Sequence, residues 1–279
     1  MGNEGDESKV EYKMKITIKE LKDNKAVLDI SETKHYFVNS LRRVMLADLP
    51  KLAIEDVIIY DNTSPLFDEI IAHRLSMIPL PTDLKLLTFR NECSCKGAGC
   101  PSCTVRYTLS KEGPCIVYSG DLQPEDKTWT VKDERIPIVE LSKDQRVILE
   151  VEAVLGRGKD HAKWQAVQAP GYKYYPVVDI DDKKCKLCNQ CVDACPKKIL
   201  SIKNNKCVVT DIEQCTLCSS CVDACEYDAI KIRGDETRFL FRFETDGSLT
   251  ANEALVESSV ILSKKYNDFS SFLKKLKDQ

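Results

Sequence analysis

The sequence predicts an α+β chain with a cysteine-rich repeat set inside it, on three observations. Apolar and polar residues alternate near both ends, as in strands with one buried face. Other segments place apolar residues at helical spacing. In the second half, one cysteine pattern occurs twice, thirty residues apart.

The elements follow in order. Tyr12, Met14, Ile16 and Ile18 alternate with Lys13, Lys15, Thr17 and Lys19, which predicts a half-buried strand. After the turn signal Asp23-Asn24, "KAVLDI" at 25–30 is its expected hairpin partner. In "ETKHYFVNSLRRVMLADLP", Phe37, Leu41, Val44 and Met45 recur at helical spacing. Arg42 and Arg43 lie on another face, and Pro50 closes the segment. Pattern alone gives a core helix with a solvated basic face. A second helix is expected in "TSPLFDEIIAHRLSMIPL". Ser64 suits its N-cap, Pro65 its first position, and Asp68 and Glu69 the positive end of its dipole. Phe67, Ile70, Ile71, Leu75 and Ile78 form its apolar face. His73 reads as packed, because nothing nearby completes an acid–base pair. In "TRFLFRFETDG", Phe239, Phe241 and Phe243 alternate with polar positions, and the chain turns at Asp246-Gly247. From Asn252, Leu255, Leu262, Phe269 and Leu276 recur every seven residues, joined by Tyr266 and Leu273. That predicts a long amphipathic helix with an aromatic-rich seam, placed to pack on a partner.

Length allows about two domains. Charged residues make up 30% and the net charge is −3, so no single-sign field points to DNA wrapping or a membrane surface. No run of about 18 apolar residues suits a membrane span, and the first 30 residues lack a signal peptide's apolar run. Met1 to Lys9 is polar and expected to fray. A cytoplasmic protein is expected, with no membrane partner.

The fourteen cysteines are clustered. Such clustering suits metal coordination in a reducing compartment better than disulfides. "CKLCNQCVDAC" at 185–195 and "CTLCSSCVDAC" at 215–225 are identical at eight of eleven positions, and each spaces its cysteines C-x2-C-x2-C-x3-C. In this ferredoxin-like pattern three thiolates curl around one cluster and the fourth ligates the other. Cys185, Cys188, Cys191 and Cys225 are thus expected to hold one [4Fe–4S] cluster, and Cys215, Cys218, Cys221 and Cys195 the second. Structural zinc favours paired cysteines over four in one run. Pro196 follows the first block but Glu226 the second, so Cys225 is expected to be held less tightly and the first cluster to be the more labile. Residues 176–234 carry nine basic and nine acidic side chains, unlike a mobile acidic ferredoxin. Separately, Cys93, Cys95, Cys100 and Cys103 form C-x-C-x4-C-x2-C, with Gly97 and Gly99 freeing the turn. Four thiolates suit a closed tetrahedral Zn²⁺ site; reduced, metal-free thiols are the alternative. Cys115 and Cys207 are left over.

"GRGKDHAKW" at 156–164 fails as a phosphate loop, because Lys159 is followed by Asp160. With "NSLRRVMLADLP" and "FDEIIAHRLSMIPL", however, it resembles the D subunit of archaeal RNA polymerase, a family related to the bacterial alpha subunit and the eukaryotic third-largest subunit. The match runs in order over most of the chain, and "AHRLSMIPL" (Ala72 to Leu80) is highly specific. Some D subunits carry an inserted ferredoxin-like domain, and the eukaryotic counterpart has a four-cysteine zinc loop. The resemblance implies a discontinuous dimerisation domain at 1–48 and 235–279. It implies an inserted alpha-like second domain at 49–170 and an iron–sulfur domain at 171–234.

It further implies a non-catalytic assembly subunit of DNA-directed RNA polymerase. Such a subunit heterodimerises with the small L subunit and then recruits the large catalytic and other subunits. Nucleotidyl transfer belongs to the complex, and DNA and RNA are met only through it; no catalytic residue is assigned here. An electron-transfer subunit of an oxidoreductase is the alternative, but it leaves "AHRLSMIPL" unexplained. A free-standing redox regulator would need a DNA-reading element and a basic face. The cluster module is expected to act as a structural or regulatory unit, since metal binding organises segments with little core of their own.

Overall fold

The structure is a computed structural model that describes residues 14–277. Tyr12 and the Met1–Lys9 segment lie outside the described residues. In chain order the elements are β1 (Lys15–Lys22), β2 (Lys25–Ser31), α1 (His35–Ala47), β3 (Pro50–Asn62), α2 (Asp68–Ser76), β4 (Thr104–Glu112), β5 (Cys115–Tyr118), β6 (Gln123–Pro124), β7 (Pro137–Leu141) and β8 (Arg146–Arg157). They continue with β9 (Val167–Ile180), α3 (Gln190–Asp193), β10 (Leu200–Lys203), β11 (Lys206–Val209), α4 (Ser220–Asp223), β12 (Ile230–Thr245) and α5 (Ala251–Lys277). Strands and helices are mixed, as the α+β reading requires.

Four sheets form. Their orders are β1-β2-β12-β9, β3-β8-β4-β6, β5-β7 and β10-β11. The chain packs as two compact units. Of the described residues, one comprises 14–18, 28–38 and 172–241; the other comprises 19–27, 39–171 and 242–277.

Within the second unit, β8 pairs antiparallel with β3 from Pro50↔Arg157 to Asn62↔Val147 and with β4 from Thr104↔Val154 to Glu112↔Arg146. One face of this sheet carries the larger core, including Leu52, Ile54, Tyr107, Leu149 and Val151. Ile71, Leu75 and Ile78 join it from α2 and the residues just after. The expected start of α2 is wrong by three residues. The helix begins at Asp68 with Phe67 at its N-cap, and no side chain caps it. Ser64 and Pro65 instead lie in a turn, where Asn62 Oδ1 accepts from the Ser64 amide at 3.0 Å. Asp68 and Glu69 do occupy the first turn. Phe67 and Ile70, expected on the buried face, are exposed. His73 is exposed rather than packed.

"GRGKDHAKW" is a packed corner. A Cβ on Gly158 would lie 2.0 Å from the Leu46 carbonyl oxygen, so only glycine lets the chain pass there. Lys159 donates its amide to Ala47 O at 3.0 Å, which ties the corner to the end of α1. Buried Lys163 donates to Ile54 O at 2.9 Å, contacts Glu55, and lies over the Trp164 ring. Lys51 pairs with Asp246 in the same unit, with the two side chains 4% and 9% exposed.

β1 forms as expected, but it is an edge strand and Met14, Ile16 and Ile18 are exposed rather than half-buried. Phe239, Phe241 and Phe243 are fully buried. In α1, Leu41 (3% exposed) and Met45 (1%) lie in the chain's own core with Val38 and Val44, so they are not free to meet a partner. α5 changes character along its length. Ala251, Ala254, Ser258 and Leu262 are buried, whereas every described side chain from Ser263 to Leu276 is exposed.

Candidate metal centres

The 93–103 loop is built from tight turns. Lys96 N–H donates to Cys93 O and Cys103 N–H to Cys100 O, at 3.0 and 2.9 Å. Gly97 and Gly99 adopt φ of +87° and +85°, the left-handed region that glycine enters without strain. Arg90 anchors the loop by donating to Gly97 O at 3.2 Å and reaching Asp56 and Glu152. The four sulfurs of Cys93, Cys95, Cys100 and Cys103 all lie within 4.8 Å of one another. Three of the separations are 3.5 Å (Cys93–Cys100), 3.6 Å (Cys95–Cys103) and 3.9 Å (Cys100–Cys103). A zinc tetrahedron with Zn–S of ~2.3 Å has sulfur–sulfur edges of ~3.8 Å, so the donor set fits that ion. The Cys100 amide, pointing at the Cys95 sulfur, lowers that thiol to about 5. The Cys95 amide lowers Cys93 in the same way. Burial pushes Cys103 up to about 11. Backbone dipoles thus favour thiolate, the form a metal takes, on one side of the loop.

The repeat at 185–225 lies in the other unit. Each half runs from a strand into a cysteine loop, through one helical turn (α3 or α4), and out to a strand. Leu187 and Asn189 in the first half, and Leu217 and Ser219 in the second, all have φ between +57° and +66°. Such backbone costs a non-glycine residue roughly 1 kcal/mol and persists where the surroundings hold it in place. Its recurrence thirty residues apart marks a loop geometry that both halves share.

The first predicted ligand set lines one cavity. Cys185, Cys188 and Cys191 come from one run and Cys225 from the other, with Leu187, Ile202 and Ile230 among the apolar walls. The cavity has about 350 Å³ of non-protein space, part of it open to solvent. The crossed pattern recurs in the second set. The Cys221 thiol is pushed up to about 11, first by burial and then by the negative charge of Cys195, with Cys215 and Cys218 adding to it. Lys173 donates to Cys215 O at 2.9 Å and to Glu213 O, which fixes the start of the second loop. All fourteen cysteines are free of disulfides.

Spacing left one member of the first cavity unassigned. Cys207, from β11, lines its wall with Sγ 3.9 Å from Cys191 Sγ. Burial, ahead of the charge on Cys191, pushes its thiol up to about 12. The other leftover, Cys115, donates to Glu112 O at 3.5 Å, apart from either cluster of cysteines.

Two family models match the chain. Residues 57–179 match the RNA polymerase Rpb3/RpoA insert domain, and residues 177–226 match a 4Fe-4S dicluster domain. DNA-directed RNA polymerase subunit Rpo3 of Picrophilus torridus is 41% identical, over 92% of this chain and 99% of its own. Those of Methanosarcina acetivorans and Archaeoglobus fulgidus are 42% and 38% identical, each over 94% of this chain. The chain belongs to the archaeal RNA polymerase Rpo3 family. It is therefore an RNA polymerase subunit, and its dicluster domain is of an iron–sulfur-binding type. Rpo3 membership also accounts for "AHRLSMIPL", which the oxidoreductase alternative left unexplained. No helix among the described residues is long and apolar enough to cross a membrane.

Proposed function

We propose that the chain is a non-catalytic assembly subunit of the cytoplasmic polymerase, pairing with a small L-like subunit before the large catalytic subunits join. The proposed dimerisation domain is formed by residues 1–48 and 235–279, the second domain by 49–170 and the iron–sulfur domain by 171–234. Cys185, Cys188, Cys191 and Cys225 hold one [4Fe–4S] cluster; Cys215, Cys218, Cys221 and Cys195 hold the other. Cys93, Cys95, Cys100 and Cys103 hold Zn²⁺. DNA and RNA are contacted through the complex.

One observation carries the pairing. The stripe that buries Ala254, Ser258 and Leu262 continues along α5 as Tyr266, Phe269, Leu273 and Leu276, all exposed. An aromatic-rich stripe of this kind on a free helical surface calls for a covering partner. Phe269 is 61% and neighbouring Phe272 58% exposed, so changing them leaves the chain's own core intact. Leu262 is packed internally and is unsuited to the test. The double variant Phe269→Asp, Phe272→Asp should keep the wild-type melting temperature yet lose co-purification with the co-expressed small subunit. Pairing at the wild-type level would refute this face as the interface.

A further inference from the structure

We propose that Cys207 is a hydrogen-bonding thiol to the first cluster, tuning its reduction potential by donating S–H to the sulfur of the ligand Cys191. The inference rests on the two-cluster reading given above and adds a residue to it.

The geometry has three parts. First, Cys207 is 6% exposed and lines the same cavity as Cys185, Cys188, Cys191 and Cys225. Second, its sulfur lies 3.9 Å from that of Cys191, within reach of a sulfur hydrogen bond. As an iron ligand Cys191 would be a thiolate with no proton to give, so in this contact Cys207, which is not a ligand, supplies the S–H and Cys191 accepts.

The third part is an asymmetry between the halves. Thr210 N–H donates to Ile199 O, and Asp181 N–H donates to Ala229 O, both at 2.8 Å. Ile199 and Ala229 are equivalent across the thirty-residue repeat, so Thr210 and Asp181 are equivalent too. Three residues earlier stand Cys207 in one half and Val178 in the other. Both pack in the module's core. By that equivalence Val178, a hydrocarbon, would stand toward the second ligand set where Cys207, a donor, stands toward the first. Hydrogen bonds to cluster sulfurs set potentials because they stabilise the more negative, reduced form.

The experiment is an anaerobic redox titration followed by electron paramagnetic resonance, with iron measured on each sample. Wild type should hold about eight irons per chain and titrate as two clusters. Cys207→Val should make one cluster harder to reduce by about tenfold in the reduction equilibrium, about 59 mV for one electron, and leave the other unmoved. Cys207→Ser, which keeps a donor, should stay near wild type. Val178→Cys should do the reverse to the opposite cluster, easing its reduction while the first is unchanged. Should Cys207→Val fail to assemble, the serine and Val178→Cys variants still decide. Wild type without two clusters would overturn the reading of the site and this inference with it. Two clusters whose midpoints ignore the variants, or shift together, would overturn this inference alone.

Discussion

At the scale of single residues, what spacing encodes was legible and what folding brings together was not. The cysteines of 93–103 and 185–225 could be found because a metal loop places its ligands two to five residues apart, and the sequence records those gaps directly. Cys207 could not, because it reaches the first cavity from a different strand. Nor could the pair between Lys51 and Asp246, whose members are 195 residues apart. Asp246 turns the chain into α5, where its Oδ1 accepts from the Ser248 amide at 3.0 Å. Gly247 follows it at φ +92°. Both charges are buried, so removing one leaves the other without compensation. Lys51→Met should therefore cost about 3–5 kcal/mol in denaturant unfolding, with Lys51→Met, Asp246→Asn recovering much of it. Equal stabilities for the single and double variants would mean that the pair is not coupled.

At the scale of elements, periodicity found the helices but placed their ends by the wrong chemistry. Ser64-Pro65 has the composition of a helix start, yet Asn62 captures that segment in a turn, and α2 opens at Asp68 with no side-chain cap. At α5 the local chemistry does decide. Thr250 Oγ1 accepts from the Glu253 amide at 3.2 Å, and Glu253 accepts from the Thr250 amide at 2.9 Å, a reciprocal capping box. The strands of 104–157 were not assigned from sequence. Yet the two-residue period is present in β4 and β8, where Val105, Tyr107 and Leu109, then Val147, Leu149 and Val151, are buried at alternate positions, whereas β3 loses it at its register irregularities near Ile54 and Ile59. The alternation in "TRFLFRF" marks only the second part of β12, which begins at Ile230, because strand continuity depends on its neighbours more than on its own pattern. The capping box yields a prediction with a definite pH sign. Hydrogen bonds from Thr250 hold the Glu253 carboxyl below its usual value. Its contribution is present above the unfolded value near ~4.3 and is lost as pH falls through the lower folded value. Glu253→Ala should cost about 1 kcal/mol at neutral pH, and the difference from wild type should vanish in strong acid. Thermal melts of both proteins across the acid range measure it; a deficit that persists in strong acid would exclude the ionic contribution.

At the scale of the whole molecule, the two units rest on different kinds of core. In the unit of residues 19–27, 39–171 and 242–277, the main core is a large set of aliphatic and aromatic side chains that needs no metal to stay buried. The core of the cysteine repeat has eight buried members, and five of them are cysteines: Cys191, Cys195, Cys207, Cys215 and Cys221. Four of those five are proposed cluster ligands, so without iron the fully buried part of this core is reduced to Ile199, Leu200, Cys207 and Ile230, with only partly buried side chains such as Val178, Val209 and Ile232 around them. Binding free energy at a metal site of this kind is folding free energy. Replacing all eight ligand cysteines with serine should therefore unfold the repeat locally and leave the larger core standing. The exposed half of α5 lies far along the chain from the repeat, at 263–276, and should still take the small partner. The 93–103 loop should likewise keep about one zinc per chain, since its four sulfurs belong to the larger unit. What should fall is the recovery of complete polymerase, if other subunits dock on the repeat. Scoring zinc content, heterodimer yield and polymerase yield on the same preparation separates these effects. Loss of the heterodimer would mean that the clusters stabilise the whole subunit, and unchanged yields at both steps would mean that assembly does not use them.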